Sequence, residues 1–249
     1  MRRKLIAANW KMCKTPDLAR EFVAAFLPLV KDHPRDDIAL CPSYVCLPAV
    51  VEALRDTQIG VGGQNMFWEK EGAYTGEISA AMLRAVGCSH VIIGHSERRQ
   101  YFGETDDTVN RKLKVALAAG LQPIVCVGEV LEEREAGLTE QVLERQCNIA
   151  FSEISGVEAV PLIVAYEPVW AIGTGKTATP QMAADAHEVI RAQAAKAFGE
   201  ETAQAMRILY GGSVKPENAN ALMSKMEIDG ALVGGASLDP KSFSAIVHY

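Results

Sequence analysis

The sequence predicts an α/β protein, a (β/α)8 barrel of eight parallel strands surrounded by helices, built as one domain over residues 1–249. Three observations predict it. Short β-rich runs alternate with helical segments along the whole chain. Most of these runs are apolar without strict alternation, as strands buried on both faces are. Polar residues with chemical capacity stand just past the run ends, where a barrel gathers its site. A doubly wound sheet shares the alternation and is the second architecture it allows.

The first strand is Lys4–Asn9. Its apolar run follows a basic start but is broken by Asn9 and Lys11, too early for a signal-peptide core. Thr15-Pro16 then supplies a capping side chain and a first-turn proline, and Phe22, Phe26, Leu29 and Val30 give that helix one apolar face. Strands two and three are Asp37–Cys41 and Ile59–Gly63, the latter weak alone and supported by its spacing. Ser79 caps the next helix and Gly87 ends it. Strand four, His90–Gly94, holds the β-branched run Val91-Ile92-Ile93. Thr105 and Gly120 bound a helix before strand five, Gln122–Val127, and Thr139 caps the helix after it. Strand six is Pro161–Glu167. Thr179-Pro180 opens a helix that should stop at Gly199. Strand seven is Met206–Gly211, strand eight the weaker Asp229–Val233, and Asp239-Pro240 opens the last helix.

Composition removes several functions. Lys and Arg number 25 against 31 Asp and Glu, a net charge of −6, and aromatics make up 6%. That balance argues against nucleic-acid binding. No uncharged apolar stretch reaches the roughly 18 residues of a membrane span. The six cysteines form no Cys-x-x-Cys pair, and no His, Cys and carboxylate spacing resembles a zinc site. Reduced thiols and a cytoplasmic location are the expectation.

The strand ends carry Asn9-Trp10-Lys11, His95-Ser96-Glu97, Glu167-Pro168, Gly211-Gly212-Ser213 and Gly234-Gly235. Glu167 closes an apolar run, where desolvation raises a carboxylate's pKa and makes it a general base near neutrality. His95 stands where a helix can begin, and backbone N–H groups there favour neutral imidazole. Lys11 offers positive charge for an oxyanion or an anionic substrate, and a Schiff base is its other use. The two glycine pairs let backbone N–H groups approach phosphate. Each residue alone has a commoner structural role: a solvated glutamate, a core histidine, a surface lysine, a tight turn. Gly175-Lys176-Thr177 looks like the end of a P-loop, but Trp170 stands where that motif needs glycine. The segment reads better as a mobile lid between Pro168 and Pro180.

Seven blocks then agree with one family. They are Asn9–Met12, Gly72–Glu77, Gly94–Arg99, Cys126–Glu129, Ala165–Gly175, Tyr210–Val214 and Gly234–Leu238, in order and spread over the chain. Together they closely resemble the triose-phosphate isomerases. The resemblance implies reversible conversion of dihydroxyacetone phosphate and glyceraldehyde 3-phosphate, in glycolysis and gluconeogenesis, with no cofactor and no metal. It implies Glu167 as base, neutral His95 as the group that moves protons between the two oxygens, and Lys11 with Asn9 at the enediolate. Glu97 would orient the lysine. Gly173, Ser213, Gly234 and Gly235 would hold the phosphate, and residues 168–179 would form the lid. It also implies a homodimer through the loop Gln64–Glu77, which carries Phe67, Trp68 and Tyr74. Cys13 departs from the asparagine common in that family. A covalent aldolase or synthase using Lys11, and a silent binding barrel, are the other classes; the second should lack Glu167 or His95.

Overall fold

The computed structural model describes residues 2–172 and 177–249. Eight strands close into a barrel: β1 (Leu5–Asn9), β2 (Asp37–Cys41), β3 (Gly60–Gly63), β4 (His90–Ile93), β5 (Gln122–Val127), β6 (Ile163–Tyr166), β7 (Arg207–Tyr210) and β8 (Gly230–Val233). Each pairs in parallel with its sequence neighbours, and β8 returns to β1 with Ala231 opposite Ile6. The doubly wound alternative is thereby excluded. The helices are α1 (Pro16–Val30), α2 (Leu47–Ala53), α3 (Ala80–Val86), α4 (Ser96–Phe102), α5 (Asp106–Ala118), α6 (Leu131–Glu135), α7 (Thr139–Ala150), α8 (Pro180–Phe198), α9 (Glu200–Ala205), α10 (Pro216–Met223) and α11 (Pro240–Val247).

The apolar strands have two buried faces for a visible reason. Leu5, Ala7, Ala39, Cys41, Ile92, Ile124, Cys126, Ala165, Leu209 and Leu232 pack together as one cluster, the barrel filling. Their neighbours Ile6, Ala8, Leu40, Val91, Ile93, Val125 and Val164 belong to the second cluster, against the helices. Alternation in direction therefore leaves no alternation in hydropathy.

Local signals fix most helix starts. Thr15, Ser79, Thr105, Thr179 and Asp239 each accept a backbone N–H at a helix entry. Thr139 does not: Leu138 is the cap residue of α7 and Thr139 lies inside its first turn. The α1 face also differs. Phe22, Phe26 and Val30 are buried at four-residue spacing, whereas Leu29 lies off that stripe and is 40% exposed. Asp229 is not a strand residue. Its carboxylate takes Arg2 Nε and Arg191 Nη2 at 2.6 Å each and the Ile208 N–H at 3.0 Å, tying the segment before β1 to β7 and α8.

Two buried histidines make the fold acid-sensitive. Burial lowers His90 to about 4, with Arg207 adding and Asp37 opposing. Burial lowers His187 to about 3, while its Nδ1 bonds the Glu227 carbonyl at 3.0 Å. The unfolded chain protonates both near pH 6.5, before the folded one does. The stability they contribute is therefore complete above about pH 6.5 and is lost as pH falls toward their folded values. Each should cost roughly 2 kcal/mol between pH 6.5 and 5. Urea midpoints measured across that window should fall in the parent and fall less in His90→Asn. Equal slopes for the two proteins would dismiss the assignment for His90.

Candidate active site

The loops leaving the strands' C-terminal ends enclose a cavity of about 380 Å³. Asn9, Lys11, His95, Glu167, Ser213, Gly234 and Gly235 all line it, although they come from five different strand ends. Gly173 lies outside the described residues. Glu97 is not on the cavity wall and reaches it through Lys11.

Glu167 follows β6 and is 2% exposed. One carboxylate oxygen accepts the Ser96 N–H at 2.8 Å and the other lies 2.9 Å from His95 Nε2. Two glycines make room for it. A Cβ on Gly128 would stand 1.7 Å from the Glu167 carbonyl oxygen, and one on Gly211 2.9 Å from its Cγ. The expectation of a raised pKa is corrected by this geometry. Burial alone pushes Glu167 up, but His95, the Ser96 N–H and Lys11 outweigh it and hold the carboxyl below its usual range.

His95 caps α4, as its position before Ser96 suggested. Its Nδ1 accepts the Glu97 N–H at 3.2 Å, which leaves Nε2 as the protonated, donating nitrogen of a neutral ring. Burial disfavours the imidazolium, and the Glu167 carboxylate favours it enough to move the pKa upward. A second proton would have to go on Nδ1 and displace the Glu97 N–H. The neutral tautomer is the one these hydrogen bonds describe.

Lys11 sits at φ 53°, a left-handed conformation that a side chain rarely adopts. Local bonds hold it there. Its N–H donates to Asn9 Oδ1 at 3.0 Å and its carbonyl accepts Gln64 Nε2 at 2.8 Å. Its ammonium donates to Glu97 Oε1 at 2.5 Å. Asn9 thus shapes the backbone of the loop as well as lining the cavity.

The described residues ahead of the proposed lid are anchored by a fully buried carboxylate. Glu129 accepts Trp170 Nε1 at 2.9 Å and the Tyr166 hydroxyl at 3.0 Å. Residues 169–171 form a single 3₁₀ turn there. Residues 173–176, the middle of the proposed lid, lie outside the described residues.

Sequence reasoning missed the Ser96 N–H, the Gln64 amide and the roles of Leu232, Val214 and Lys215 in the cavity wall. Ser96 and Lys215 stand within two residues of recognised positions, and that adjacency was the available signal. Leu232 stands two residues before Gly234 and shares that signal, whereas Gln64, just past β3, has no local mark.

A family profile for triosephosphate isomerase matches residues 4–249. The chain is 56% identical over 249 residues to "Triosephosphate isomerase" of Solibacter usitatus, covering all of both chains. It is 55% identical over its full length to the protein of that name from Clostridium botulinum strain Okra, again covering all of both. With that of Moorella thermoacetica it shares 58% identity over 252 aligned positions, covering all of this chain and 99% of the other. The chain belongs to the triosephosphate isomerase family.

Proposed function

We propose that Glu167, His95, Lys11 and Asn9 interconvert dihydroxyacetone phosphate and glyceraldehyde 3-phosphate by proton transfer through an enediolate. One observation carries the reading: a buried carboxylate and a neutral imidazole, 2.9 Å apart, face the same cavity as a lysine ammonium. Substrate entering between them separates the pair. Glu167 then loses the His95 contact that lowers its pKa and keeps its burial, so it becomes a stronger base when the carbon acid arrives. It takes the proton from the carbon beside the carbonyl, and the C–H electrons pass to the carbonyl oxygen. His95 Nε2–H and the Lys11 ammonium stabilise that oxyanion. His95 gives its proton to one oxygen and recovers one from the other, and Glu167 returns its proton to the neighbouring carbon. The steps balance without a redox carrier or a metal.

Ser213, Gly234 and Gly235, with Gly173, hold the phosphate through backbone N–H groups. Glu97 touches no substrate; it is a positioning residue for Lys11. In heavy water the parent should deliver product and recovered substrate carrying deuterium on the carbon next to the carbonyl. Isomerisation with no solvent hydrogen incorporated at any conversion would speak for hydride transfer instead.

The chain acts as a homodimer in this reading. Met12 (97% exposed), Val45, Tyr74, Tyr101 and Phe102 are exposed apolar side chains beyond β1 to β4, neighbouring strands on one side of the mouth. The loop Gln64–Glu77 stands among them with Phe67 packed on Trp68 and Tyr74, ring centroids 4.1 and 4.7 Å away. Tyr74→Glu is expected to shift the sedimenting species from dimer to monomer and to lower activity. A parent that sediments as a monomer at micromolar concentration would reject the dimer. Among the described residues no helix is long and apolar enough to cross a membrane, and a cytoplasmic site of action accords with the glycolytic substrate.

A further inference from the structure

The cavity meets its dianionic substrate with an unfavourable charge balance. Glu167 lines the wall, and the Lys11 ammonium is already committed to Glu97. Among the described residues of the wall, Lys215 is the remaining lysine or arginine. It stands two residues after Ser213, and its backbone N–H is held by Asn218 Oδ1 at 2.8 Å, ahead of α10. Its side chain is exposed and forms no ion pair with a described residue. A cation without a carboxylate partner keeps its full attraction for an arriving anion, whereas a paired one does not.

We propose that Lys215 is a further substrate-recognition residue, which draws the phosphate dianion to the Ser213, Gly234 and Gly235 end of the cavity. This deepens the proposed phosphate site and rests on it. The backbone donors there carry partial charge and act at contact range. Lys215 supplies a whole charge that acts over the Debye length, about 8–10 Å at moderate salt. Its contribution therefore belongs to capture of the phosphorylated substrate, and the proton transfers at Glu167 and His95 proceed without it.

The experiment compares the parent with Lys215→Gln and Lys215→Arg at several ionic strengths. Glyceraldehyde 3-phosphate is the substrate, unphosphorylated glyceraldehyde the control and inorganic phosphate the inhibitor. Lys215→Gln should lower kcat/KM for the phosphorylated substrate about three- to tenfold at low salt, with a flatter salt dependence. Inhibition by phosphate should weaken to a similar degree, and Lys215→Arg should recover the parent's behaviour. An equal loss with both substrates, a loss that arginine does not restore, or an unchanged salt slope would overturn the proposal. Gly234→Ala separates this from the underlying site, because its Cβ would stand 3.2 Å from Lys11 Cε. If Gly234→Ala weakens phosphate inhibition and Lys215→Gln does not, the cradle stands and Lys215 has no part in it. If neither changes it, the phosphate site itself is misassigned.

Discussion

Glu167→Gln is expected to isomerise triose phosphate roughly 10²–10⁴-fold more slowly than the parent, or slower still. The amide has the size of the carboxyl and can still accept the Ser96 N–H through its oxygen. It cannot take a proton from carbon. The site around it is built for one shape: Gly128 and Gly211 pack so close that a Cβ on either would collide with it, and the residue is 2% exposed. A loss of activity in an isosteric variant with unchanged thermal stability therefore reports chemistry and not collapse. Solvent deuterium incorporation should fall in step with isomerisation, since one group performs both. Near-parental turnover by the purified variant would remove Glu167 from the role of base. The opposite substitution is informative as well. Glu167→Asp keeps the charge but withdraws it by one methylene, and a misplacement of about 1 Å can cost on the order of 10²-fold.

The barrel was legible because its signals are local. Thr15, Thr179 and Asp239 each stand before a proline, and each caps a helix. Apolar runs with no alternation meant two buried faces, which the two hydrophobic clusters display. Thr139 failed because a capping residue type does not fix its own position: the turn at Leu138 starts α7 one residue earlier. Leu29 failed because a helical stripe has edges, and it lies on one.

The site was legible as a set of residues and less so as an electrostatic arrangement. Glu167, His95 and Lys11 were found by their places past strand ends and by the family's blocks. The sign of the Glu167 shift was not, because it depends on partners at sequence separations no periodicity reports. Ser96 is 71 residues away, and Glu97 meets Lys11 across 86. Desolvation can be read from an apolar run; a compensating charge delivered by another strand cannot.

Lys11 carries the second large expected effect, and its pairing with Glu97 decides how the effect must be measured. Lys11→Gln removes a charged donor from the oxyanion, a loss worth about 10²–10³-fold in kcat where such donors have been removed. It also leaves Glu97 without its partner beside a dianionic substrate, which adds repulsion. The single variant therefore overstates the lysine. Glu97→Gln alone frees the ammonium from its 2.5 Å contact and lets it wander, so its cost should appear in kcat more than in KM. In Lys11→Gln with Glu97→Gln the unpaired carboxylate is gone. The double variant should be no slower than Lys11→Gln, and its KM for the phosphorylated substrate should be lower. That non-additivity is the signature of two residues acting as one unit. Strictly additive losses would mean that Glu97 serves the reaction by a route other than Lys11. Full activity in Lys11→Gln would show that the enediolate is stabilised without Lys11.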